Sequence, residues 1–182
     1  YHTLGSGERY ADTDILTPEE ARQWVRYIAE EGADGLKLNS HRPAIMEALL
    51  DEAEKHGLGS TAHLGQLGVA QMNAQDSARL GLGTLTHYYG LFEAMYENTD
   101  VQLWPVDMNY NNEQHRFGQV ARQWSMIAGR GSDKWNALLD EFLELDFTLD
   151  PTFSIYSAGR DVERMRNADW HDKYTLPTQW DF

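Results

Sequence analysis

The chain has 182 residues, enough for one domain with a sizeable core, and 41% apolar with 12% aromatic residues mark it as folded rather than disordered. A formal net charge of −14 speaks against nucleic acid or an anionic membrane surface as partner. The absence of cysteine excludes disulfides, thiolate metal sites and a thiol nucleophile, and no apolar run approaches the ~18 residues of a membrane span.

Residues 1–16 are rich in Gly, Asp and Thr and read as loop. Thr17-Pro18-Glu19-Glu20 is a helix start, with Thr17 as N-cap, Pro18 in the first turn and Glu20 closing a capping box. Ala21, Trp24, Val25, Ile28 and Ala29 then repeat at helical spacing, and Gly32 ends the run as the residue beyond the C-cap. Gly35-Leu36-Lys37-Leu38-Asn39 reads as a strand, whose alternation sets the two leucines on one face and Lys37 on the other.

Pro43 opens a second helix with Ile45, Ala48, Leu49 and Ala53 as its buried stripe, closed by His56-Gly57. His56 there is a cation favoured by the helix C-terminus. Ser60 to His63 forms the next strand. The stretch holding Val69, Ala70, Met72, Ala74, Ala78 and Leu80 reads as a helix capped at Gly81, and Thr84 to His87 as a third strand.

From Leu91 the rhythm breaks. A short helix (91–96), a segment rich in aromatics, Asn and Asp, and a helix with Phe117, Val120, Ala121, Trp124 and Ile127 on one face make residues 88–131 an insertion longer than an ordinary connection. Ser132 caps a further helix carrying Trp135, Leu138, Leu139, Phe142 and Leu143, and residues 147–152 form a fourth strand with Asp150 near its end. The remainder reads as one helix over Arg160 to Ala168 followed by loop.

Strand and helix thus alternate, and Lys37, His63 and His87 close successive strands at spacings of 26 and 24 residues. Parallel strands joined by helical crossovers bring their C-terminal ends to one rim, where α/β folds place their chemistry. Histidine is the commonest metal ligand. A lysine joins such a set only after its neutral amine takes up carbon dioxide as a carbamate, in effect a long carboxylate able to bridge cations. The residues leave two other readings open: a single metal beside an unmodified Lys37, and a non-catalytic piece or binding scaffold without metal.

GADGLKLN, STAHL and TLTHYYG, in this order and spacing, resemble the amidohydrolase superfamily of metal-dependent hydrolases, most closely its imidazolonepropionase-like and prolidase-like branch. The resemblance spans residues 17–155. It implies a (β/α)8 TIM barrel, of which this chain would supply about strands 4 to 7 with their helices, and a site for one or two divalent ions, expected to be zinc. Lys37 matches the family's carboxylated lysine on the fourth strand, His63 the histidine on the fifth and His87 that on the sixth.

The implied activity is hydrolysis of amide, peptide or cyclic amide C–N bonds in a small-molecule or peptide substrate. Gln66, Tyr88, Tyr89, His115 and Arg116 are the candidates for substrate contact, the last two beside Tyr110, a further candidate, in the part of the insertion over the barrel mouth.

The chain holds no His-x-His pair, which the family carries on its first strand, and no counterpart of its eighth-strand aspartate, since Asp150 falls one strand too early. A barrel of this kind typically needs about 250 residues. The expectation is therefore a fragment of a single barrel domain over 1–182, completed by the missing remainder and inactive in isolation. A start at Tyr1 and an end at Trp180-Asp181-Phe182 agree with that. No signal peptide is visible, and the compartment stays open between cytoplasm and periplasm or exterior. An oligomer is compatible with the sequence.

Overall fold

The computed structural model describes residues 2–3, 15–66 and 68–179. The chain divides into two compact units, Tyr1–Asp150 and Pro151–Phe182.

The first unit is organised by local signals that the residues themselves supply. Helix α1 (Pro18–Glu30) starts as its sequence dictates: the Thr17 hydroxyl accepts from the Glu20 backbone N–H, and the Glu20 carboxylate accepts from Thr17 N. Gly32, at φ +86°, lets the chain reverse into strand β2 (Gly35–Asn39). Helix α2 (Pro43–Lys55) follows and packs along α1. Between them Glu52, buried on α2, is held by Arg22, Arg26 and Lys55.

Strands β3 (Gly59–His63), β4 (Thr84–Thr86) and β5 (Thr148–Asp150) extend the sheet in sequence order, every pair parallel. A two-residue strand β1 (His2–Thr3) pairs with β2 at the opposite edge, a departure from the reading of residues 1–16 as loop; residues 1 and 4–14 of that stretch lie outside the described residues. The α/β alternation of the sequence is therefore present as a parallel sheet with helical crossovers.

Register sorts the side chains. Leu38, Ala62, Leu85 and Leu149 form one row across β2 to β5, and Lys37, Thr61, Thr84 and Thr148 form the adjacent row on the other face. Leu36, Leu38, Ala62 and Leu85 are fully buried in the core shared with α1 and α2. Each buried leucine contributes about 1.5–3 kcal/mol relative to an exposed one.

Four expectations need correction. The single helix read between Gly65 and Gly81 is a 3₁₀ turn (Gly68–Ala70) and a separate short helix α3 (Ala74–Arg79), because Asn73 caps the latter with Asp76 in a capping box that breaks the run. Helix α4 (Leu91–Met95) agrees with its reading. Helix α5 (Glu113–Gln123) and its 3₁₀ continuation do not bury the predicted stripe: Phe117 and Val120 are half-buried, whereas Ala121 and Trp124 face solvent and Gln123 is buried.

Helix α6 (Asp133–Glu144), capped by Ser132 as expected, buries Leu138 and Phe142 but leaves Leu139 and Leu143 exposed. The second unit carries three short helices, α7 (Phe153–Arg160), α8 (Val162–Arg166) and α9 (His171–Tyr174): α8 lies within the span read as a helix, Arg160 to Ala168, whereas α7 precedes it and α9 falls where loop was expected. The Asp161 carboxylate, accepting from Arg164 N, starts α8 and marks the break. No helix among the described residues is long and apolar enough to cross a membrane.

Candidate metal-binding rim

The rim forms where β2, β3 and β4 end. Lys37 and His63 share the face opposite the leucines by strand alternation, since Asn39, two residues beyond Lys37, pairs with His63. His87 would fall on the Leu85 face if alternation continued. It does not: β4 ends at Thr86, and His87 adopts φ +68°, a left-handed conformation that few non-glycine residues take up. The ring of His87 consequently meets that of His63 edge to face, with centroids 4.7 Å apart. Its backbone N–H donates to the Asp150 carbonyl at 2.8 Å, which anchors the turn to β5.

The electrostatics reflect this crowding. Burial pushes the His63 imidazole down to about 4, and the charges of His87, Lys37 and Arg116 push in the same direction. His87 is lowered by burial and by Lys37, with Asp150 opposing. Burial also lowers the Lys37 ammonium, whose Nζ donates to the Leu38 carbonyl at 3.5 Å. All three groups are thus biased towards the neutral forms that bind metals or, for the amine, react with carbon dioxide.

The candidates for substrate contact are placed unequally. Tyr89 is buried and sets its ring edge against His63 at 5.3 Å and His87 at 6.2 Å. Arg116 is near enough for its charge to reach His63, while its Nη1 donates to the Tyr110 carbonyl at 2.9 Å. Tyr88 stacks on Phe92 at the edge of the core. Gln66 is 5% exposed, and both atoms of its carboxamide are buried without a hydrogen-bond partner among the described residues. His115 sits in the first turn of α5, its buried Nε2 without a hydrogen-bond partner among the described residues.

Sequence reasoning passed over His41 and Arg42. Both line, with Asn39, Ser40, His63 and Gln71, a cavity of about 450 Å³ beside the rim. The buried Nε2 of His41 has no hydrogen-bond partner among the described residues, and burial lowers its pKa. Their place on the loop between the end of β2 and Pro43 was the available signal. Ser40 ties this loop to the next, its hydroxyl accepting from Gly65 N at 2.6 Å. A side chain at Gly68 would stand 2.2 Å from the Ser40 Cβ, so this close approach requires glycine.

Comparison with family models and with curated proteins yields no match for this chain.

As a donor set the rim fits a divalent cation in part. It offers two adjacent imidazoles and an amine that becomes a ligand only as a carbamate. Among the described residues no group of three His, Cys, Asp or Glu side chains is placed to hold a metal ion. Since catalytic zinc sites keep three protein ligands, Lys37 decides whether this rim reaches that number.

Proposed function

We infer that the chain carries part of the metal centre of an amidohydrolase-type enzyme, a hydrolase of amide, peptide or cyclic amide C–N bonds, on a segment of a (β/α)8 barrel. The observation that carries this reading is the meeting of His63 and His87 at 4.7 Å, beside Lys37, at the C-terminal rim of a parallel sheet. The left-handed backbone at His87 adds weight, because strain of this kind clusters at functional sites.

In this reading His63 and His87 are metal ligands through neutral imidazole nitrogens. The Lys37 amine loses a proton, its nitrogen bonds to the carbon of carbon dioxide, and the resulting carbamate supplies two oxygens. A bound divalent cation supplies an activated water and a polarised substrate carbonyl. Tyr89 walls the imidazole pair, and Arg116 brings a cation to the same side, suited to a carboxylate on the substrate. Further ligands and a general base come from strands beyond the two sheet edges.

Assaying the intact protein against a panel of dipeptides and cyclic amides tests this. Hydrolysis abolished by a chelator and restored by zinc or manganese is the expected result. Activity that survives complete removal of metal would overturn it.

A further inference from the structure

A second cavity, of about 420 Å³, lies among α3, α4 and the 97–112 segment, and its lining includes none of Lys37, His63 and His87. Three carboxylates, Asp76, Glu93 and Asp100, contribute to its wall, and among the described residues no lysine, arginine or histidine does. Among the described residues none of the three carboxylates forms an ion pair. Trp104 and Tyr110 form the aromatic side, their rings edge to face at 6.4 Å.

The polar groups are held in sequence. Trp104 Nε1 donates to Gln102 Oε1 at 3.1 Å, Gln102 Nε2 donates to Glu93 Oε1, and Gly90 N donates to Glu93 Oε2 at 3.0 Å. The indole and the carboxylate are therefore fixed before any ligand arrives, which lowers the cost of binding one. Two hydroxyls near Glu93, those of Tyr96 and Tyr110, are buried without a hydrogen-bond partner among the described residues, although buried hydroxyls ordinarily have one. Tyr110 lines the cavity, and its phenolic oxygen is an acceptor for a donor brought from outside.

Aromatic faces attract cations through their quadrupole, tryptophan most strongly. A carboxylate with no ion-pair partner among the described residues, set beside such a face, favours a positive ligand over a neutral one of the same shape. We propose that this cavity binds a small organic cation, a primary ammonium or guanidinium on an apolar stem, with Glu93 as counter-ion, Trp104 as aromatic wall and the Tyr110 hydroxyl as acceptor. The volume lies within the range of small-ligand sites. The inference goes beyond the metal reading and does not rest on it.

Titration of the intact protein with agmatine, followed by calorimetry, tests the proposal, with 1-butanol as the neutral control. Saturable agmatine binding is expected, weakened about tenfold or more in Glu93→Gln and in Trp104→Leu. Glu93→Gln keeps an oxygen for Gly90 N, and Trp104→Leu carries the test should the first variant fail to fold.

Binding that persists in chelator-treated protein separates this inference from the metal reading. Agmatine binding alone marks a site for free amines; binding of a short arginine-containing peptide as well marks one for the basic end of a longer ligand. No saturable binding, equal binding of 1-butanol, or wild-type affinity in both variants would overturn the proposal.

Discussion

The imidazoles of His63 and His87 meet with centroids 4.7 Å apart although regular strand geometry would put them on opposite faces of the sheet. The left-handed turn at His87 produces the encounter. It costs backbone energy that a residue better suited to positive φ does not spend. His87→Asn should therefore leave metal-free protein as stable as wild type, or more so by up to about 1 kcal/mol, while lowering metal affinity more than about 100-fold. Denaturant midpoints and metal titration together check this. A strongly destabilised variant would show that the His87 ring, not the site, is what the turn serves.

His41 supplies a pH prediction. Its folded-state pKa is depressed by burial below the unfolded value near 6.5. Below that pH the unfolded chain takes up a proton that the folded one resists, so the stability owed to a neutral His41 is present above about 6.5 and declines as pH falls towards the lowered folded value. His41→Leu removes both the titration and the orphaned Nε2. The variant should hold its unfolding midpoint between neutral pH and pH ~5 better than wild type does. Parallel declines in the two proteins would refute the assignment.

Leu85, on β4, is fully buried and in register between Ala62 and Leu149. Leu85→Ala should cost about 2–5 kcal/mol and, by loosening β4, displace His87. Equilibrium unfolding measures the first effect and loss of metal affinity the second. A cost below about 1 kcal/mol would mean that the row is not packed as described.

Much of the fold was legible because its signals are local. Thr17-Pro18-Glu19-Glu20 starts α1 by hydrogen bonds within one turn, and the alternation of Leu36, Lys37 and Leu38 is set by the pleat alone. What could not be read depends on neighbours. Leu138 and Leu139 are neighbours on α6, yet Leu138 is buried in the core on a helix that packs against α3 and α4, while Leu139 faces solvent. The break at Asn73 competes with an apolar pattern that continues through it, and the cap prevails.

The rim was legible as a rhythm of strand ends. The turn that brings His87 round was not, since histidine gives no advance sign of positive φ. The cavity around Glu93 escaped notice because Asp76, Glu93 and Trp104 are distant in sequence and meet only after folding.

The most direct test of the central claim is the metal content of the intact protein, purified without chelator and then reconstituted with zinc and bicarbonate. Stoichiometric divalent metal is expected in the wild type, and its loss in a folded His63→Asn, His87→Asn double variant. Wild-type protein that takes up no metal, or a double variant that retains it in full, would show that the rim is not a metal centre.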